Sequence, residues 1–120
     1  MARVLVADDD EDIRLLIEMR LRREGHAVTP VADGQEAWDS LRSGGYDLAI
    51  LDNSMPELTG LEVTARCRAE AALAGLKILM VTAFVQEQDV QDGLQAGADH
   101  YMTKPFSLQD LSTQVSLLVG

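Results

Sequence analysis

The sequence predicts an α/β domain built on a doubly wound, five-stranded parallel sheet in the order 2-1-3-4-5. Three observations carry that expectation. Short β-branched apolar runs alternate with longer stretches of helical period, five of each, the pattern left by βα units around a parallel sheet. One run, residues 48–51, is apolar at every position, as a strand covered on both faces should be. Right-handed crossovers then leave few topologies, and the order 2-1-3-4-5 is among them.

The first strand is read at residues 4–6, ending at Asp8, Asp9 and Asp10. Residues 11–24 follow as the first helix, with Ile13, Leu16, Ile17 and Leu21 as its apolar stripe and Gly25 as its stop. Residues 27–31 form a weaker second strand. Ala32-Asp33-Gly34 opens the second helix, which carries Ala37, Trp38 and Leu41 and closes at Gly44-Gly45. The third strand, 48–51, leads to Asp52. Residues 58–68 read as the third helix with Leu61 and Ala65 on one side, extended or followed by an alanine-rich stretch to Ala74. The fourth strand is 78–81, and the fourth helix is polar and spans 86–96, closed by Gly97. A short fifth strand, 100–102, precedes the fifth helix. That helix starts at Ser107, with Asp110 three residues on as a weak capping box and Leu108, Leu111, Val115 and Leu118 as its stripe.

The chain has 120 residues, which suits one domain over residues 1–120. Area scaling buries about two-thirds of such a chain's surface, enough for a core without staples. Twenty acidic residues against ten basic ones give a formal charge of −10. With only one tryptophan, two tyrosines and two phenylalanines, that charge argues against nucleic-acid binding, which wants a basic footprint and stacking rings. Anionic membrane surfaces are disfavoured on the same electrostatic ground. No apolar run approaches the length of a membrane span, and Met1-Ala-Arg leads straight into a strand, so no signal peptide is read. A lone cysteine, Cys67, excludes an internal disulfide framework and fits a cytoplasmic location.

In the predicted strand order, sites form at the carboxyl ends of the strands. Collected there are Asp8, Asp9 and Asp10, then Asp52 with Asn53 and Ser54, then Thr82, then Lys104 with Pro105. Two carboxylates about 4 Å apart repel by roughly 4 kcal/mol even at an effective dielectric of 20. Such a cluster is retained when a hard cation neutralises it, and oxygen ligands without His or Cys favour Mg²⁺. Lys104 can meet an incoming anion, and the Thr82 hydroxyl can turn to a new acceptor. A carboxylate in that company suits an aspartyl-phosphate intermediate, and Asp52, at the central strand between the other acids and Lys104, is the best nucleophile.

The runs Val4-Leu5-Val6-Ala7-Asp8-Asp9-Asp10, Asp47-Leu48-Ala49-Ile50-Leu51-Asp52 with Met55-Pro56 and Gly60, Val81-Thr82-Ala83 and Lys104-Pro105-Phe106 together resemble the receiver domain of bacterial two-component response regulators. The resemblance covers the whole chain and implies a flavodoxin-like (βα)5 fold. It implies that Asp52 accepts a phosphoryl group from a sensor histidine kinase or histidine phosphotransferase. Asp9 would ligate Mg²⁺ directly and Asp8 largely through water, with Asp52 and the Ser54 backbone carbonyl completing the protein ligands. Lys104 would pair with the phosphoryl oxygens, Thr82 would hydrogen-bond to them, and Tyr101 would turn inward as Thr82 moves. The signal would leave through the fourth helix, fifth strand and fifth helix. That face also offers a surface for a homodimer, and an output domain beyond residue 120 or a partner protein would receive the signal. The family further implies a cis Lys104–Pro105 bond, and Ser54 and Phe84 flanking the path of the hydrolytic water. Such a chain is a switch that catalyses only its own phosphorylation and dephosphorylation. Asn53 and Thr59 depart mildly from the family pattern.

Plainer readings apply to several residues. Asp10, Glu11 and Asp12 are helix N-terminal charges. Cys67 is a structural or surface thiol, Trp38 packs at the core edge, Met19 and Met80 are packing residues, and His26 and His100 lack partners at ligand spacing. Leu15 falls off the stripe of the first helix near the acidic edge, where it would be surface noise or help a phosphodonor helix dock. Other functions remain open at this stage. An aspartyl-phosphate phosphohydrolase would want a second acid two residues after the nucleophile, where Ser54 stands. A flavin module would want a phosphate cradle where Asp8-Asp9-Asp10 stand, and a receiver-like interaction module would dispense with phosphate.

Overall fold

The computed structural model describes residues 1–83 and 87–120, and the alternating apolar runs become its strands: β2 and β3 as read, β5 one residue longer and β1 and β4 longer by one residue at each end. The elements are β1 (Arg3–Ala7), α1 (Glu11–Arg23), β2 (Ala27–Val31), α2 (Gly34–Leu41), β3 (Leu48–Leu51), α3 (Gly60–Ala69), β4 (Lys77–Thr82), α4 (Glu87–Ala96), β5 (His100–Thr103) and α5 (Leu108–Val119), with a 3₁₀ turn at Ala71–Leu73. All neighbouring strands run parallel, in the order β2-β1-β3-β4-β5. Gln86, where the fourth helix was expected to begin, lies outside the described residues.

Alternation along the inner strands sorts side chains onto two faces. Leu5, Ala7, Ala49, Leu51, Ile78 and Met80 pack with Ala37 and Leu41 of α2 and Val63 and Cys67 of α3. Val4, Val6, Leu48, Ile50, Leu79 and Val81 pack with Ile17 and Leu21 of α1 and Leu111 and Val115 of α5. Every residue of β3 is buried, which its unbroken apolar run foretold. The accessible area of 6126 Å² agrees with the roughly 6,400 Å² that scaling gives for a folded chain of this mass.

Helix starts follow local chemistry. The Asp10 carboxylate accepts the N–H groups of Asp12 and Ile13, Asp33 accepts that of Glu36, and the Ser107 hydroxyl accepts that of Asp110. Thr59 and Glu62 form a reciprocal capping box on α3. Each such cap contributes about 1 kcal/mol.

Three packing expectations are corrected. On α3 the buried face is Val63, Thr64 and Cys67, while Ala65 is exposed and Leu61 half-buried. The Thr64 hydroxyl donates to the Gly60 carbonyl at 2.8 Å, so a polar residue is satisfied in the core and the helix can turn that side inward. On α1, Leu16 is half-exposed, because Ile13, Ile17 and Leu21 take the sheet-facing row and Leu16 flanks it. Met19, expected in packing, is also exposed on that flank, whereas Met80 is fully buried. Leu15 is exposed as read. His26 plays a structural part: its Nδ1 accepts the Ala2 N–H at 3.1 Å.

Candidate functional site

Three strand ends deliver the acids and the base to one place. β1 runs into Asp8, which is buried, and Asp9, which is exposed. β3 runs into Asp52, also buried, whose N–H donates to the Ala7 carbonyl at 3.0 Å and ties the ends of the two strands together. From the far side the Lys104 ammonium donates to Asp8 Oδ2 at 2.8 Å and to Asp52 Oδ2 at 3.1 Å. The Lys104–Pro105 bond is cis, and the Lys104 N–H donates to the Thr82 carbonyl at 2.8 Å. Thr82 itself is buried at the end of β4.

The remaining carboxylate oxygens are held by backbone. The Asp10 N–H donates to Asp8 Oδ1 at 2.9 Å and the Ser54 N–H to Asp52 Oδ1 at 3.0 Å. Ser54 is otherwise exposed. Phe84 lies outside the described residues. Tyr101 is half-buried on β5, in register with Met80, and packs against the core on the α2 and α3 side.

Electrostatics at the site are strained. Burial pushes the Asp8 carboxyl up, the negative charge of Asp52 adds to that, and the hydrogen bonds from Lys104 and the Asp10 N–H only partly offset it. Burial by itself would lower the Lys104 ammonium. Its bonds to Asp8 and Asp52 outweigh this and raise it. The Tyr101 phenol is raised by burial first and then by the charges of Asp89 and Asp52. One lysine thus faces two buried carboxylates, with Asp9 beside them.

Asp8, Asp9 and Asp52 each offer a carboxylate oxygen, and these oxygens lie within 4.8 Å of one another. An all-oxygen donor set carrying excess negative charge suits a hard divalent cation such as Mg²⁺. The fold therefore brings together Asp8, Asp9, Asp52, Thr82 and Lys104 of the expected site residues.

Other contacts at the site were not read from the sequence. Arg14, one turn into α1, donates from Nη1 to the Asp8 carbonyl at 2.8 Å and braces the loop that carries the acids. Asn53 Oδ1 accepts the Leu61 N–H at 2.9 Å, which gives the departure at this position a local reason: it fastens the start of α3 beside Asp52. Gly60 lets that helix approach so closely that a Cβ there would come within 2.7 Å of the Asp52 carbonyl oxygen.

Comparison with known proteins matches this geometry. The family model "Response regulator receiver domain" matches residues 4–116. The alkaline phosphatase synthesis transcriptional regulatory protein PhoP of Bacillus subtilis is 38% identical over 117 residues, 98% of this chain and 48% of its own length. The transcriptional regulatory protein TcrA of Mycobacterium tuberculosis is 39% identical over 116 residues, 97% of this chain and 45% of its own. The chain thus spans about half the length of these curated relatives. Among solved structures, the Vibrio cholerae chemotaxis protein CheY4 superposes with a TM-score of 0.91 at 31% identity, covering 98% of both chains. The receiver domain of the Francisella response regulator 1452 does so at 0.91 and 31%, covering 99% of this chain and 97% of that one.

Proposed function

The chain belongs to the response regulator receiver domain family, and from that premise we propose that it is a phosphorylation-driven signalling switch with Asp52 as phosphoacceptor. The observation that carries the reading is the Lys104 ammonium bridging Asp8 and Asp52 at 2.8 and 3.1 Å. A cation held by two buried acids is placed to meet a phosphoryl group arriving on either.

An Asp52 carboxylate oxygen attacks phosphorus in line with the bond to a histidine nitrogen of a sensor kinase or phosphotransferase. The new O–P bond forms as the N–P bond breaks, and the histidine leaves with the electron pair. Lys104 transfers hydrogen bonds from the carboxylates to the phosphoryl oxygens, and the Thr82 hydroxyl turns toward them. Asp8, Asp9, Asp52 and the Ser54 backbone carbonyl would hold Mg²⁺. Bound there, it supplies positive charge against the acids and the phosphoryl dianion.

Tyr101 would follow Thr82 inward, and α4, β5 and α5 would carry the change outward. Ser54 and Phe84 would set access of the hydrolytic water and so the lifetime of the signal. The domain would act on itself alone, in the cytoplasm. Its output would pass to a domain beyond residue 120, or to a partner protein. A homodimer through the α4–β5–α5 face would have to rest on apolar contact, since α4 and α5 carry Glu87, Asp89, Asp92 and Asp110 and no lysine or arginine.

Incubation with Mg²⁺ and a small acyl-phosphate donor tests the reading. One phosphoryl mass should be added, labile in hydroxylamine, abolished by Asp52→Ala and suppressed by chelation. A stable phosphoserine or phosphothreonine, or uptake that survives Asp52→Ala, would overturn it.

A further inference from the structure

Helix α4 offers β5 a gap where a side chain would ordinarily stand. Gly93 is the seventh of its ten residues and is buried. A glycine well inside a helix destabilises it relative to alanine, so the position calls for a reason. The reason is the edge of the Tyr101 ring. A Cβ added to Gly93 would lie 3.1 Å from Tyr101 Cδ2 and 3.2 Å from Cε2, inside the separation of about 3.5–4.0 Å at which carbon atoms rest. With alanine there, ring or helix must give way by a few tenths of an ångström.

Tyr101 is also tied to the site by register. It pairs with Met80, and Thr103 pairs with Thr82. Side chains in register across a parallel ladder, like those two residues apart along one strand, share a sheet face. Tyr101 and Thr82 therefore project on the same side, the side on which α3 packs. Its phenol is raised by burial first and then by the charges of Asp89 and Asp52. Its ring edge faces Gly93, where an added Cβ would crowd it.

We infer that Gly93 is a positioning residue: its missing side chain seats the Tyr101 ring against the α4 backbone and so couples the ring's position to that of the helix. For its consequence in signalling this rests on the phosphorylation reading. The seat itself is a contact that can be tested without phosphate.

A double-mutant cycle with Gly93→Ala and Tyr101→Ala separates the two. In the Tyr101→Ala background Gly93→Ala should raise the melting temperature by roughly 3–6 °C, the ordinary gain of alanine over glycine in a helix. With the ring present the gain should vanish or reverse. In protein labelled with 3-fluorotyrosine and assigned with Tyr46→Phe, Gly93→Ala should shift the Tyr101 fluorine resonance before any phosphate is added. It should also change the rate of phosphorylation by a small acyl phosphate about threefold or more, an effect that disappears without the ring. Additive melting shifts with an unmoved resonance would overturn the seat. Failure of wild type to take phosphate on Asp52 would instead overturn the functional reading, and the melting cycle and resonance would still decide the seat.

Discussion

Replacing Asp8 by asparagine should make the metal-free protein more stable, although it removes a buried ion pair. Asp8 and Asp52 are both buried, with oxygens no more than 4.8 Å apart, and they share one ammonium. At an effective dielectric of 20, two unit charges at 4.8 Å repel by about 3.5 kcal/mol. The neutral amide of Asp8→Asn would abolish that repulsion and the cost of burying a carboxylate. Against this stands the loss of the Lys104 attraction, about 6 kcal/mol for unit charges 2.8 Å apart at the same dielectric, so the sign turns on the cost of burying the carboxylate. The upward displacement of the Asp8 carboxyl, whose first cause is burial, sets that sign: the folded site holds the neutral group more easily than the charged one.

The same displacement fixes the pH dependence. A carboxyl that is raised in the folded protein binds its proton more tightly there than in the unfolded chain, so wild type gains stability as pH falls through the raised value toward 3.8. The variant lacks that gain. Its advantage is therefore full at pH 7 and closes as the pH drops below about 4. Urea unfolding of both proteins at pH 7 and about pH 3.5, each with chelator and with Mg²⁺, reads all of this. Mg²⁺ should stabilise wild type more than the variant, because a ligand of the folded state stabilises in proportion to its affinity. A variant less stable than wild type at pH 7 in chelator would refute the claim that the folded site holds a charged Asp8 at a cost.

Three further changes are expected. Glu57 has φ 71° beneath an N–H of Leu58 that donates back to the Pro56 carbonyl at 2.9 Å, a γ-turn. Glu57→Gly should therefore raise the urea midpoint by an amount worth about 0.5–1 kcal/mol, and a fall would show that the turn is unstrained. Arg68 donates to the Gly97 carbonyl at 2.9 Å and to Asp99 at 2.8 Å, while Asp99 also accepts the Ile78 N–H. Arg68→Ala should cost about 2–3 kcal/mol in denaturant titration, and Arg42→Ala, whose pair with Asp39 is exposed at 3.8 Å, close to nothing; equal effects would contradict the assignment. The Cys67 thiol is buried and pushed up to about 11 by burial, so thiol reagents at pH 8 should modify it only as fast as the chain opens. Immediate labelling of native protein would place it at the surface.

The fold was legible because its signals are redundant. β3 announces itself by four apolar residues in a row, β1 by the acids that stop it, and α5 by Ser107 and a clean stripe ending in Val115 and Leu118. Boundaries shifted by a residue where ladder pairing extended a strand past its apolar run, as at Lys77 and Thr82 in β4. The face of α3 was misread because Leu61 looks like an anchor and Thr64 like surface. Only the tertiary setting shows that a threonine whose hydroxyl returns to its own helix can be buried at little cost. Leu16 fell in the stripe by helical period and Met19 in packing by apolar character, yet both lie at the surface, since apolar side chains are not bound to be buried.

The site divides along a different line. Asp8, Asp9, Asp52, Thr82 and Lys104 could be found because converging charges are expensive, and an expensive arrangement at the ends of neighbouring strands asks for a function. The roles that escaped are played through what a sequence does not display. Arg14 acts on a backbone carbonyl, Asn53 on a backbone N–H, Glu57 through a dihedral angle, and Gly93 through the atom it lacks. In each case the partner is main chain or empty space, so no pairing of side-chain types along the sequence reveals it. Chemistry at this site was written in side chains, and the mechanics that would carry it outward depend on how closely α3 and α4 backbones approach Asp52 and Tyr101. One added methyl therefore reads the two apart: at Gly60 it presses on the Asp52 backbone and should impair phosphorylation directly, whereas at Gly93 it meets only the Tyr101 ring and should act on the site through that ring.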